Sequence, residues 1–206
     1  MPADVLTAKG RQTRQAIEQA ARKLFAERGF HGTTLADITS AAGKSPAVFY
    51  RYFADKEDLL AALAESFLHD VVTPSGLSLH LPESPDDDGF FTSVVTGYWN
   101  IFKQNIGIMI AVAQLAATQQ RFAAVQNEFR RFGMDIVSAS VRRAQEQGYG
   151  TELNPQHTAA AIALLFENFT TVFVGPSGPA GLDLEISDED AIATLSAIWK
   201  KTLYGA

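Results

Sequence analysis

Five apolar residues near the middle of the chain, Phe122, Val125, Phe129, Phe132 and Ile136, recur at steps of three, four, three and four. That rhythm puts all five on one face of an α-helix and does not fit the alternation of a half-buried strand. The spacing predicts a helix over about 119–147, with Arg130, Arg131, Arg142 and Arg143 largely off the apolar face and a stop at Gly148-Tyr149-Gly150.

The same period runs through the N-terminal part. Ile17, Ala21, Leu24 and Phe25 form the stripe of a first helix that stops at Gly29. Thr34 opens a short second helix, which carries Leu35, Ile38 and Ala42 inward and ends at Gly43. Ser45 is a good N-cap, and Pro46 suits a first helical position because its missing N–H costs nothing there, so a third helix is predicted over 46–53. Asp55 followed by Asp58 resembles a capping arrangement for a fourth helix, on which Leu60, Leu63, Phe67 and Val71 recur.

Residues 73–89, TPSGLSLHLPESPDDDG, are polar and broken by proline, and read as a mobile connector. Helical spacing resumes at Val94, Tyr98, Ile101 and Phe102 and in an Ile/Met/Ala-rich segment over 106–118. Beyond the long helix, Asn154 with Pro155 caps a helix to about Val174, GPSGPAGLDLEIS forms a second loop, and Ser187 with Asp190 opens a last helix ending near Leu203. No segment makes a convincing strand or repeat, so the expected fold class is all-α.

At 206 residues and 47% hydrophobic, the chain can bury a sizeable core. It has no cysteine, which closes disulfide, thiolate-metal and thiol-nucleophile readings. No apolar run approaches the roughly 20 residues of a membrane span, and MPADVLTAKGRQTR lacks the apolar core of a secretory signal, so cytoplasm is the default address and no membrane partner is expected. The net charge of −6 hides an asymmetry. Residues 1–56 hold nine Lys or Arg against five Asp or Glu, a net of +4, while residues 57–206 hold eight against eighteen, a net of −10. The basic first quarter is the part suited to nucleic acid.

Two short helices joined by a turn at Gly43-Lys44, the second started by proline, make a helix-turn-helix pattern, whose second member lies in the DNA major groove. The stretch GFHGTTLADITSAAGKSPAVFYRYFADKEDLL, residues 29–60, resembles the DNA-binding domain of the TetR family of transcriptional regulators, and the resemblance extends back to about Thr13. It implies a three-helix DNA-binding domain at 1–56 and a larger helical effector-binding and dimerisation domain at 57–206. It also implies that Thr34 and Tyr50 bond phosphates and that Lys56 neutralises another. Lys44, Ser45, Pro46, Ala47, Val48, Arg51 and Tyr52 would then face the groove.

Two departures matter. Ala47-Val48 stands where family members often have a small polar pair, and Lys44 where an apolar residue is common. Ala47 and Val48 can offer only apolar contacts, as to thymine methyls, which leaves Lys44 and, better, Arg51 as guanine readers. Phe49 and Phe53 read as core anchors. Lys9, Arg11 and Arg14 precede the expected first helix and read either as minor-groove residues or as part of a frayed N-terminus.

Other motifs carry no chemistry. Asp86-Asp87-Asp88 reads as solvated helix-start charge, the four histidines share no ligand spacing, and Gly148-Tyr149-Gly150 follows a helix rather than a strand. No catalytic set, metal site or cofactor is expected. An enzyme or a helical interaction adaptor remains the alternative, though neither explains the set at residues 34–56.

Dimerisation rests on broad apolar surfaces. Ala159 and Ala163 on the helix over 155–174, with Ile192, Leu195, Ile198 and Trp199 on the last helix, predict a four-helix interface between two copies, and hence an inverted-repeat operator on double-stranded DNA. The body is also rich in bulky side chains. Trp99, Phe102, Met109, Phe122, Phe129, Phe166 and Phe169, with polar Gln114 and Asn168 among them, suit a pocket for a small apolar effector. Resemblance to the TetR family implies that effectors bind in this region.

Overall fold

The computed structural model describes residues 7–72, 81–175, 178–179 and 181–205. Residues 73–80 of the expected connector, and three positions of the loop before the last helix, lie outside them. Among the described residues there are nine helices and no strand: α1 (Ala8–Arg28), α2 (Leu35–Ala41), α3 (Pro46–Phe49), α4 (Lys56–Val72), α5 (Asp88–Gln104), α6 (Ile106–Ala116), α7 (Gln120–Glu146), α8 (Pro155–Val174) and α9 (Asp188–Tyr204). The all-α class is therefore observed.

Local signals set the helix starts. The side chains of Thr34, Ser45, Asn154 and Ser187 each accept a backbone N–H of the first turn, at Asp37, Val48, Gln156 with His157, and Asp190 respectively. Glycine sets stops: Gly29 has φ of 71°, and its N–H donates to Phe25 O at 3.1 Å. Lys9, Arg11 and Arg14 lie inside α1, which starts at Ala8, and not before it.

The chain divides into two compact units, residues 1–70 with 105–126, and residues 71–104 with 127–206. The functional division proposed at residue 56 falls inside the first. In the first unit Ile17, Ala21, Leu24 and Phe25 of α1, Ile38 of α2, Phe49, Phe53, and Leu59, Leu60 and Leu63 of α4 form one core with Ile108, Val112 and Leu115 of α6 and with Phe122. Buried Gly107 lets α6 meet α1 backbone to backbone: a Cβ there would stand 2.5 Å from Ala26 N and 2.6 Å from Phe25 C.

In the second unit Phe91, Val95 and Trp99 of α5, Val137 and Val141 of α7, Ala159, Ile162 and Phe166 of α8, and Leu195 and Trp199 of α9 close a second core. Lys103 pairs with Asp188 and Lys200 with Asp88 at 2.7 Å, tying both ends of α5 to α9. The α7 stripe thus serves two cores. Phe122 and Val125 belong to the first, whereas Phe129, Phe132 and Ile136 line a cavity in the second.

Candidate nucleic-acid interface and ligand cavity

The turn between α2 and α3 has a definite construction. Gly43 takes φ of 63°, its N–H donates to Ser40 O, and the Lys44 N–H reaches back to Thr39 O at 2.9 Å. This pair of bonds is a Schellman stop, which only a left-handed residue completes without strain. Ser45 and Pro46 then restart the helix. Regular α-helix ends at Phe49, short of the expected 53, because the amides of Arg51 and Tyr52 bond carbonyls three residues back instead of four. Phe49 and Phe53 are both buried, with ring centres 5.6 Å apart, and anchor this short segment on the core.

That anchoring turns the intervening residues outward. Tyr50 is 60% exposed, its ring set edge-on to Phe49, and Ser45, Pro46, Ala47 and Arg51 are exposed beside it. Lys44, Val48 and Tyr52 are half-buried, with Tyr52 packed on the core. Neither Lys44 nor Arg51 has an ion-pair partner among the described residues, so both charges are available to an anion.

Two expected phosphate ligands are engaged within the protein. The Thr34 hydroxyl accepts the Asp37 N–H at 3.1 Å and donates to Asp37 Oδ2 at 2.5 Å, while the Thr34 N–H donates to the same carboxylate at 2.8 Å. As placed, Thr34 has no proton to offer a phosphate; it closes a capping box. The Thr34 hydroxyl and N–H, with a smaller contribution from Arg28, hold the Asp37 carboxyl below the usual aspartate range against the opposing effect of burial. Lys56 Nζ donates to Phe30 O and Thr33 O, each at 2.7 Å, and lies 4.2 Å from the Phe30 ring centre. The ammonium expected to meet DNA therefore clamps the α1–α2 turn to the start of α4, with one of its three donors left. Burial lowers the Lys56 pKa, opposed by Glu57.

The second unit holds a cavity of about 360 Å³ among α5, α7, α8 and α9. Its walls are mainly apolar, with Val94 and Ile101 from α5, Phe129, Phe132 and Ile136 from α7, and Phe166 from α8. Gly97 and Gly133 also line it, and a Cβ at either would meet nothing within 4 Å. The charged lining consists of Arg130 and Glu167, joined by two parallel bonds, Nε to Oε2 at 2.6 Å and Nη2 to Oε1 at 2.7 Å. That bonding raises the Arg130 pKa. Tyr98 lines the cavity through its ring, while its hydroxyl is buried beside that of Thr170 without hydrogen-bond geometry between them. Burial pushes the Tyr98 phenol well above the ordinary tyrosine range; the Thr170 hydroxyl lowers it and the Glu167 charge raises it.

Of the residues expected to line a pocket, Phe129 and Phe166 do so. Trp99 and Phe102 are buried in helix packing, and Phe169 is half-buried against the second core. Met109, Gln114 and Phe122 belong to the first unit, where Phe122 is core and Gln114 is exposed, and none of them is among the residues that line the cavity. Asn168 is exposed, returns its amide to Leu164 O at 3.1 Å and is not among the residues that line the cavity. Tyr98, Arg130 and Glu167 are among the lining residues that the sequence expectation did not assign to the site.

The expected dimer residues need a similar correction. Ala159, Leu195 and Trp199 are at most 1% exposed inside the second unit, with Trp199 Nε1 donating to Ser140 Oγ at 3.2 Å. Ala163 lines the cavity and Ile192 packs on the core. Ile198 faces outward, as do Leu164, Leu165 and Val172 of α8. By length and hydropathy α8 could cross a membrane, with a mean hydropathy of 1.3 over a window that is only 22% buried. One side of α8, with Leu164, Leu165 and Val172, is thus uncovered in the single chain, while Ala159, Ile162 and Phe166 on the other are buried.

Known proteins bear out the helix-turn-helix reading. The family described as "Bacterial regulatory proteins, tetR family" matches residues 17–63. The chain is 28% identical to the HTH-type transcriptional regulator EthR of Mycobacterium tuberculosis over 195 residues, 92% of this chain and 86% of that protein. It is 39% identical to the HTH-type transcriptional repressor AcnR of Corynebacterium glutamicum over 72 residues, which span 34% of this chain and 38% of AcnR. Among solved structures, the FadR regulator of Bacillus subtilis in complex with stearoyl-CoA superposes with a TM-score of 0.64 at 17% identity, covering 93% of this chain and 98% of that one.

Proposed function

We propose, from the premise that this chain belongs to the TetR family and is a DNA-binding transcriptional regulator, that it represses by binding an inverted-repeat operator as a homodimer and lets go when an apolar effector fills the cavity. The observation that supports the DNA reading is the outward display of Tyr50 and Arg51, with half-buried Lys44 at the turn before them, on a segment whose Phe49 and Phe53 are locked in the core. Arg51 and Lys44 read guanine, Ala47 and Val48 touch thymine methyls, and the Tyr50 hydroxyl bonds a phosphate. Ser45, Pro46 and Tyr52 shape the approach. Lys56 adds its remaining donor, and the exposed α2 start at Thr34 approaches the backbone without a bond from the hydroxyl.

Two copies associate through the outward faces of α8 and α9, Leu164, Leu165, Val172 and Ile198, because an apolar helix this uncovered needs a partner. Dimerisation places two identical recognition segments about 34–36 Å apart or a multiple of it, which makes the operator an inverted repeat. The regulator acts where the DNA lies, in the cytoplasm, and we assign it no reaction. The cavity takes a ligand of mainly apolar surface. To weaken DNA binding a hundredfold, that ligand must favour the non-binding state by about 2.7 kcal/mol.

The test joins two measurements. Compounds that raise the melting temperature of the protein are added to a titration of a selected operator. Loss of operator affinity with such a compound supports the switch; unchanged affinity contradicts it.

A further inference from the structure

Arg130 and Glu167 come from different helices and meet in a cavity whose other walls are mainly apolar. Their side chains are 32% and 18% exposed, so Glu167 is largely and Arg130 partly withdrawn from water. Two short parallel bonds use the flat side of the guanidinium that would otherwise hold a carboxylate or phosphate. An anionic ligand entering this space would compete with Glu167 for Arg130 and would bring a second negative charge beside it at a site partly withdrawn from water. A cationic ligand would compete with Arg130 in the same way. An uncharged ligand meets a pair of zero net charge and loses nothing.

Resting on the reading of this cavity as the effector site, we infer that Glu167 sets the effector class: by holding Arg130 closed it admits uncharged apolar molecules and turns away carboxylates, phosphate conjugates and amines. Glu167 is in this sense a specificity residue, and the pair behaves as a charge filter. The acyl-CoA carried by the FadR structure has multiple phosphates, which makes it a ligand of the class this wall refuses.

The probes are the methyl ketone, the carboxylate and the primary ammonium of one ten-carbon chain, titrated against the full-length protein. Trp199, in the cavity wall, supplies a fluorescence signal. At pH 7.5 the wild-type protein binds the ketone at least tenfold more tightly than either ion. Glu167→Gln raises affinity for the carboxylate relative to the ketone at least tenfold, whereas Arg130→Met with Glu167→Met gives the carboxylate no such relative gain. Should Glu167→Gln not fold, the wild type carries the test alone: affinity for the acid falls about tenfold per pH unit above its own pKa, while the ketone is unaffected. A carboxylate that binds wild type as tightly as the ketone, or a folded Glu167→Gln with no gain, overturns the inference and leaves the effector site standing. If none of the three probes binds, the effector site itself fails, and the filter with it.

Discussion

Gly107 at the start of α6 lies directly on the backbone of Ala26 in α1, so close that a methyl group at 107 would stand 2.5 Å from the Ala26 nitrogen. The opposing atoms are backbone and cannot swing aside. Gly107→Ala forces the two helices apart and costs about 1–3 kcal/mol, the range for overpacking a filled core. Urea denaturation followed by circular dichroism gives the number directly, and an unchanged midpoint would contradict the packing.

Gly97 and Gly133 carry the opposite expectation. Each sits within a helix facing open cavity, where glycine loses backbone entropy without any close approach to justify it. Gly97→Ala and Gly133→Ala should each stabilise the protein by roughly 0.5–1 kcal/mol. Gly133→Leu should fill the cavity, keep operator binding and abolish the response to a ligand, which a thermal-shift series on the variant measures.

These glycines were the available sign of a hollow. A glycine in a helix interior has no reason of its own to be there, yet aromatic composition drew the expectation toward Phe122 and Met109, which packing assigns to the first unit. The capping residues Thr34, Ser45, Asn154 and Ser187 were readable because a cap needs only its own first turn. Arg130 and Glu167, 37 residues apart, are paired by tertiary packing alone and leave no local trace. The α8 and α9 faces failed for a related reason: both sides of each helix are apolar, and periodicity does not say which side carries Leu195 inward and Ile198 out.

Lys56 carries one prediction for stability and one for DNA binding. Lys56→Ala removes both bonds to Phe30 O and Thr33 O, and the exposure of the site to water keeps the loss near about 1–2 kcal/mol. If its remaining donor also meets a phosphate, the same variant lowers the magnitude of the salt slope by about one. Tyr50→Phe and Arg51→Ala, both at exposed positions, should leave the melting temperature unchanged. The first weakens all sequences alike and the second relaxes preference at one base pair, as competition binding with single-base variants of the operator would report.

Acid should loosen the helix starts in a defined window. Asp37, bonded chiefly by the Thr34 hydroxyl, and Asp188, bonded chiefly by Lys103, both have carboxyl pKa values lowered from 3.8. The unfolded chain binds their protons first, so their contribution is present above about pH 4 and is lost as pH falls through the lower folded-state values. Asp37→Asn with Asp188→Asn should flatten the fall in denaturation midpoint below pH 4; an unaltered slope would show that these carboxylates are not favoured by folding.

The central claim, that the chain reads an inverted repeat through the segment around Tyr50 and Arg51, is tested most directly by selecting duplexes with the purified protein and titrating the winner by fluorescence anisotropy across salt concentrations. The selected sites should be inverted repeats bound by two copies, with log affinity falling linearly against log salt and a scrambled duplex bound far more weakly. Recovery of no symmetric sequence, or equal affinity for the selected and scrambled duplexes, would contradict it.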